Sequence, residues 1–451
     1  MTVAIADSLK SDRVYTPNDF TDIFYRIPPF TVTKSKKVEY IELPAAFDIE
    51  TSSFYNGERK AATMYAWSFG VAGFVIVGRT WEEWLTVIRE VSRRFALGTN
   101  RRLVCGVHNL SYDFQFFRKW LEWDKVFSTD QLKPLYAISN LGIEFRCTYR
   151  LSGYNLAAVG ENLKRYKFNK AVGDLEYNIP RHSKTPLTAK EIGYIVSDNK
   201  VVQAYLQECI EDEGSITKIP LTKTGYVRRY AREECFGESK ETKQEYHDII
   251  KRMRLTPDEY QLLKRAFMGG FTHASPFWVG KVAENAESYD FTSSYPAAMV
   301  SGEFPIGKGQ RVLIRTAKAL EYNLNNYCCV FEIEFEDIES TFIADNYISE
   351  SRCIDANGKR AIRGERVSNG RVVSAKYLRT TVTQLDYMII AKTYKWKTRR
   401  IGTFFRYRKG YLPTVFIKAV LYLYAEKTKL KGVIGQEEAY MKLKELLNSC
   451  Y

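Results

Sequence analysis

The stretch from Tyr40 to Val107 constrains the fold more than any other, because its hydrophobic pattern passes from strand to helix and back. Ile41 to Ile49 and Met64 to Val77 read as consecutive strands, the second bent at Gly70 and Gly73. Trp81 to Phe95 repeats its apolar residues at helical spacing, and Leu103 to Val107 is a short apolar strand. Strands alternating with a helix imply helices packed on a sheet, an α/β arrangement. Residues 1–39, polar and carrying Pro17 and Pro28-Pro29, read as an irregular lead-in. At 451 residues the chain predicts two to four domains, so the fold class is a multidomain one, α/β in front and α+β behind.

Charge and cysteine usage narrow the function. Lys and Arg number 67 against 53 Asp and Glu, a net charge of +14, and 31 Tyr and 26 Phe are interleaved with them. Cations that track phosphates and rings that stack on bases are what a nucleic-acid groove needs. The eight Cys are scattered apart from Cys328-Cys329, none in a Cys-x-x-Cys, and the four His lack zinc spacing. Those patterns argue against a disulfide framework or a zinc site and fit a reducing compartment, hence the cytoplasm. With no long apolar run, neither a signal peptide nor a membrane partner is expected.

Three acidic clusters punctuate the front half. In Phe47-Asp48-Ile49-Glu50-Thr51 the two carboxylates, two apart on a strand, share one face while Phe47 and Ile49 turn to the core. Two acids on one face are costly without a cation, so a metal is a natural partner; an edge strand with solvated acids is the other reading. In His108-Asn109-Leu110-Ser111-Tyr112-Asp113-Phe114, Asn109 and Asp113 are four apart, on one side of an opening helix. Asn109 also suits a helix N-cap, which leaves Asp113 unexplained. Tyr194-Ile195-Val196-Ser197-Asp198 lies in an amphipathic helix from Thr188 to Glu208, where any helix offers such a pair. Together Asp48, Glu50, Asp113 and Asp198 supply four carboxylates for a two-metal site. One ion there generates a hydroxide and the other stabilises a leaving 3′ oxygen, with Tyr194 orienting the water.

A second group of motifs follows. The segment from about 211 to 260, with Arg228-Arg229-Tyr230-Ala231-Arg232, is either a solvated helical connector or a DNA-tracking surface. In Ala266-Phe267-Met268-Gly269-Gly270-Phe271, paired glycines let the backbone approach a phosphate closely. Glu287-Ser288-Tyr289-Asp290-Phe291-Thr292-Ser293-Ser294-Tyr295-Pro296 places Asp290 at an expected strand end, with a turn at Tyr295-Pro296 and a helix from Ala297. Such a corner suits a divalent ion carrying a triphosphate, with free amides facing the phosphates. Val330 to Phe335 and Arg371 to Tyr377 read as strands, Val382 to Tyr394 as a helix, and Thr414 to Tyr451 as a helical hairpin turning at Gly432 and Gly435. Lys444, Asn448 and Tyr451 fall on one face of its last helix.

The ordered carboxylate clusters resemble the three motifs of the proofreading 3′–5′ exonuclease domain. The later motifs resemble those of family B DNA polymerases: the Tyr-x-Gly-Gly loop at Phe267 to Gly270, motif A at Asp290 to Pro296, and motif B in Lys444-Glu445-Leu446-Leu447-Asn448-Ser449-Cys450-Tyr451. Asn155-Leu156 is similar to the family's single-strand-binding segment, with Asn155 in place of Ser or Thr. Gly173-Asp174 is similar to its Gly-Asp run; Val172 occupies the place of the catalytic lysine, and Lys170 is the nearest lysine to take that role. Phe267 replaces the loop's tyrosine, keeping a ring that stacks and losing a hydroxyl. The long separation of motif A from motif B resembles the protein-primed branch, found in bacteriophages and linear plasmids.

The resemblance implies a ribonuclease-H-like exonuclease domain at residues 40–210 and a connector with the Gly-Gly DNA-binding loop at 211–285. It places an incomplete palm with motif A at 286–311, an insertion of the protein-primed type at 312–400, and fingers ending in motif B at 401–451. It implies that Asp290 and the Phe291 carbonyl bind metal, and that Ser293 and Asn109 contact DNA. Tyr295 would exclude a 2′-hydroxyl, Lys427 and Lys444 would neutralise a triphosphate, and Asn448 and Tyr451 would line the nucleotide site. The implied cofactors are two Mg²⁺ ions per site, or Mn²⁺ in their place. The partners are template and primer 3′ end, dNTPs and a terminal priming protein. The family's second palm aspartate motif and thumb follow motif B, so the expectation is an N-terminal portion of such a polymerase, its remainder on a second polypeptide or lost. Primer extension by this chain alone is then not expected. A free-standing exonuclease and a non-catalytic DNA-binding protein are the alternatives.

Overall fold

A computed structural model of the chain describes residues 2–11, 13–167, 179–237, 239–272, 274–358 and 366–450. It divides into two units, Met1–Tyr226 and Val227–Tyr451.

The first unit opens with helices α1 (Thr2–Lys10) and α2 (Phe20–Arg26), then the hairpin β1 (Val32–Ser35) and β2 (Val38–Ile41). The lead-in is therefore regular rather than irregular: Ile5, Leu9, Tyr15, Phe20 and Ile23 are buried in the main core. Its apolar residues are too sparse for a periodic signal yet sit at the few positions that face the sheet. β3 (Ala45–Asn56), β4 (Arg59–Val71), β5 (Phe74–Gly78), α3 (Trp81–Arg94), β6 (Arg101–Val107), α4 (Leu110–Phe117), β7 (Trp123–Asp130), β8 (Lys133–Ser139) and β9 (Ile143–Cys147) follow. Then come α5 (Thr148–Ser152), α6 (Leu156–Glu161) and α7 (Ala189–Glu213), and α8 (Lys223–Phe236) carries the chain across the boundary.

Two expected strands prove to be broken. Ile41 to Ile49 is interrupted between β2 and β3, where Pro44 offers no N–H to a ladder and its carbonyl instead accepts from Ala72 at 2.9 Å. Met64 to Val77 is an antiparallel hairpin of β4 and β5 rather than one bent strand, because Ala72 (φ 50°) and Gly73 (φ 90°) form a tight turn. Gly70 lies flat in β4 for another reason: a Cβ there would stand 2.1 Å from Asn199 Oδ1 and Gln203 Nε2 of α7.

The sheet runs β5-β4-β3-β6-β9-β8-β7. Its first three strands are antiparallel, and β6 and β9 continue parallel to β3. This is the ribonuclease-H-like order. The odd residues of β3, Phe47 and Ile49, enter a core shared with Trp84, Val87, Ile88 and Val91 of α3. Each such side chain withdrawn from water contributes about 1.5–3 kcal/mol. Thr80 and Glu83 form the capping box that starts α3 there, with Glu83 Oε2 accepting from the Thr80 amide at 2.9 Å. The opposite face packs on α7, whose Val202 and Leu206 meet Ala46 and Val104.

The second unit contains α9 (Lys240–Arg252), α10 (Pro257–Ala266), α11 (Ser294–Ser301), β10 (Phe304–Val312), α12 (Ala317–Asn326) and β11 (Tyr327–Ser340). β12 (Arg366–Ser368), β13 (Arg371–Thr383), α13 (Gln384–Thr393), β14 (Tyr394–Lys395), β15 (Thr398–Gly410), α14 (Thr414–Leu430) and α15 (Glu437–Asn448) complete it. The expected strands at Val330 and Arg371, the helix before Tyr394 and the terminal hairpin all appear. One sheet, β10-β15-β11-β13-β12, runs through the segments read as palm, insertion and fingers. One face buries Phe331, Ile333, Phe335, Leu378 and Phe404 with α12 and α13, and the other receives α10 through Leu262 and Ala266.

Candidate functional site

In the first unit three of the four expected carboxylates, Asp48, Glu50 and Asp113, lie within electrostatic reach of one another. Even positions of β3 turn away from the Phe47 core, so Asp48 and Glu50 share the face of Ala46, as two-residue periodicity demands. After Glu50 the β3–β4 register slips by a bulge, a device that re-aims neighbouring side chains beside active sites. Glu50 and Asp113 are buried, at 7% and 3% exposure. A hydrogen bond of 2.5 Å between Thr51 Oγ1 and Tyr112 Oη ties β3 to α4 next to them. Burial pushes the Asp113 carboxyl well above the usual carboxylate range, and the charges of Asp48 and Glu50 push it further. Backbone hydrogen bonds from Ile49 and from Asp113 itself pull the other way. Asp113 is thus within electrostatic reach of both β3 acids.

Asp198, 6% exposed, lies on α7, the helix that packs against β3 and β4. Thr188 caps that helix with Glu191, and it runs to Glu213, past the expected end at Glu208. Asn199 anchors it to the strand pair, donating from Nδ2 to Ala46 O (3.3 Å) and Ser68 Oγ (3.1 Å). Gln203 accepts from the Gly73 amide at 2.8 Å. Tyr194 is half-buried one turn before Asp198. Asn199 and Gln203 were not singled out from sequence; four-residue spacing with Asn199 beside the Asp198 position is their only signal.

Asn109 departs from expectation. It takes a left-handed conformation (φ 68°) at the N-cap of α4 without a side-chain capping bond, and it is exposed while Asp113 is buried. The two do not share a helix face, because Asn109 lies outside the helix. Asn155 caps α6, its Oδ1 accepting from the Ala158 amide at 2.9 Å, and Leu156 packs toward the α7 core. Lys170, like Gly173 and Asp174, lies outside the described residues.

In the second unit the motif A segment is open. Asp290 does not end a strand: residues 285–291 pair with no strand among the described residues, and Asp290 is exposed, with Phe291 85% exposed beside it. A β-ladder needs a partner, and the described residues provide none here. The helix begins at Ser294, three residues before the expected Ala297, with Pro296 tolerated in its first turn. Ser293 (φ 54°) precedes it, and its Oγ accepts from Lys427 Nζ at 2.9 Å. Lys427 is buried, at 7% exposure, so its ammonium is spent on the motif A turn instead of facing solvent. Tyr295 is exposed. A cleft of about 350 Å³ opens between α11 and α14, lined by Ser293, Pro296, Ala297, Val420, Leu421 and Tyr424. Lys444 and Asn448 lie exposed on α15, which is held by Leu447 against Met299, Val420 and Leu423; Tyr451 lies outside the described residues. Phe267 (80% exposed), Gly269 and Gly270 project from the end of α10.

As they stand, no three acidic, His or Cys side chains among the described residues could hold a metal ion. The donor chemistry of the first unit nevertheless fits one. A carboxyl driven toward its protonated form by burial, and further by two neighbouring acids, is relieved by a divalent cation in place of the proton.

A model of the family described as DNA polymerase type B, organellar and viral, matches residues 161–451. The chain belongs to that family. Its fold is that of phage phi29 DNA polymerase: the orthorhombic crystal form aligns with a TM-score of 0.53 at 14% identity, over 91% of this chain and 67% of that one. The same enzyme with single-stranded DNA aligns with a TM-score of 0.53 at 14% identity, over 90% and 66%. With primer-template DNA the values are 0.53 and 13%, over 90% and 67%. At these identities the likeness is one of fold. No curated protein matches. The resemblance of this type B polymerase chain to the protein-primed branch is supported by family and fold alike. No helix among its described residues is long and apolar enough to cross a membrane.

Proposed function

We propose that the first unit is a 3′–5′ exonuclease that edits primer ends, and that the second belongs to the synthetic half of a protein-primed DNA polymerase. The observation that carries the exonuclease reading is the buried Asp113 on α4, its carboxyl raised by burial and by Asp48 and Glu50 of β3. Asp48, Glu50, Asp113 and Asp198 would hold divalent magnesium, or manganese, which supplies Lewis acidity at the scissile phosphate. Tyr194 would orient the attacking water, and the Asn155 amide, Leu156 and Asn109 would seat the 3′-terminal nucleotides, with Lys170 offering a cation to the phosphate.

In the second unit Asp290 and the Phe291 carbonyl would bind metal and Tyr295 would lie under the incoming sugar. Lys444, Asn448 and Tyr451 would contact the nucleotide, and the Phe267–Gly270 loop would grip the DNA backbone. Lys427 acts one step back, by holding Ser293. The terminal priming protein, template and dNTPs would be its partners.

A free-standing exonuclease is the second reading, favoured by the exposure of Asp290 on an unladdered segment. One assay tests the activity they share and a second separates them. The chain should shorten 3′ single-stranded DNA in Mg²⁺ and not in EDTA; activity retained in EDTA removes the exonuclease assignment. Primer extension that Asp290→Ala abolishes favours the polymerase reading, its absence favours the free-standing exonuclease, and extension that survives Asp290→Ala contradicts the role given to that residue.

A further inference from the structure

Beyond the ends of α10, the loop from Phe267 to Ala274 is tied at both sides to the segment around β12 and β13. At its start stands Arg352. Its Nη2 donates to the carbonyls of Ala266 (2.6 Å) and Arg265 (3.2 Å) at the end of α10, and to Thr381 O of β13 (3.0 Å). Its Nη1 reaches Met268 Sδ at 3.0 Å. The last carbonyls of a helix have no partner within it, and a cation there also complements the helix dipole. Arg352 is itself fixed, since Ile354 pairs with Arg379 along the edge of β13 and the buried Cys353 lies between them.

The far side of the loop is held by other groups. Phe271 stacks on Tyr347 with ring centroids 5.7 Å apart, and the Arg371 guanidinium lies 4.5 Å from the Phe271 ring centre. Arg371 also donates to Thr272 O at 3.3 Å, and Asn369 Nδ2 to Ala274 O at 3.0 Å. Between these two fastenings Phe267, Gly269 and Gly270 remain exposed, and a Cβ on either glycine would meet nothing within 4 Å. The backbone there is open to a ligand while its two ends are held.

We propose that Arg352 is a positioning residue for DNA: it fixes the take-off of the Phe267–Gly270 loop, so that the segment inserted after motif A sets how the loop meets a nucleic-acid backbone. This rests on the reading of that loop as a DNA contact. Arg352 acts through carbonyls and needs no phosphate of its own, which separates it from an ordinary basic contact. A lysine cannot reproduce a guanidinium fork over several carbonyls, although it keeps the charge.

The test is the affinity of the full chain for a labelled 3′ single strand in EDTA, measured by anisotropy over a range of salt. Arg352→Gln and Arg352→Lys should both weaken binding about tenfold, the scale of lost hydrogen bonds to a charged group. The slope of log Kd against log salt should not change, because no phosphate contact is lost. Should Arg352→Gln fail to fold, Arg371→Met, which releases Phe271 and Thr272, should weaken binding in the same way. Wild-type affinity in Arg352→Lys with a slope about one unit shallower in Arg352→Gln would make Arg352 a direct phosphate contact and overturn the proposal. Phe267→Ala is the control for the underlying reading. If it weakens binding while the Arg352 variants bind normally, the clamp alone fails; if it binds normally, the loop reading fails with it.

Discussion

The acids of β3 and α4 and the acid of motif A are the same chemical group in opposite settings. Asp48 and Glu50 sit in a strand with hydrogen-bonded neighbours on both sides, between a core built on α3 and another built on α7. That scaffold fixes their direction and buries Asp113 with them, at an electrostatic cost that a cation can relieve. Asp290 lies on an extended segment with no ladder among the described residues, exposed to water. Solvent screens an exposed carboxylate, so nothing there is strained toward metal.

The contrast is open to attack at several points. The largest effect is expected at Asp113. Asp113→Asn should lower exonuclease turnover by about a thousandfold or more, as loss of an indispensable group does, while making the metal-free protein more stable near pH 8. The sign follows from its raised folded pKa: the native state keeps a proton that the unfolded chain releases near pH 4. Metal-free stability therefore falls as pH rises above that value, and the Asn variant escapes the fall. Mg²⁺ should raise the wild-type Tm more at pH 8 than at pH 5, and hardly move that of Asp113→Asn. Equal Mg²⁺ shifts at both pH values would mean that no cation displaces a proton from Asp113, and no shift at pH 8 would mean that the cluster binds none.

Next comes the support beneath the site. Gly70→Ala drives a methyl into Asn199 and Gln203 and should cost about 1–3 kcal/mol in chemical denaturation. Loss of exonuclease activity should accompany it, since α7 carries Asp198. A smaller effect belongs to the second unit. Lys427→Met keeps the buried stem but removes the bond to Ser293, and should cost about 1 kcal/mol. Exonuclease activity should be untouched, and a change in it would link the two regions more tightly than this account allows.

Much of the first unit was legible in the sequence because its signals are local. Two-residue alternation placed Asp48 and Glu50 on one face, and a strand followed by an opening helix placed Asp113 behind them. What was missed depends on distant partners. The Ala72-Gly73 turn looked like a bend because a tight turn flanked by apolar residues keeps the strand pattern continuous. The left-handed Asn109 hid behind an ordinary capping preference. Asp290 was expected on a strand, yet a strand exists only when another pairs with it. Lys427 was expected to meet a triphosphate, and its burial against Ser293 requires the fold of α11 on α14. Arg352 carried no motif at all.

The most direct measurement is single-turnover shortening of a 3′ single strand in Mg²⁺ by wild type, Asp48→Ala and Asp290→Ala side by side. Asp48→Ala should lose the activity and Asp290→Ala should keep the wild-type rate. Retained activity in Asp48→Ala, or its loss in Asp290→Ala, would contradict the roles given to these residues.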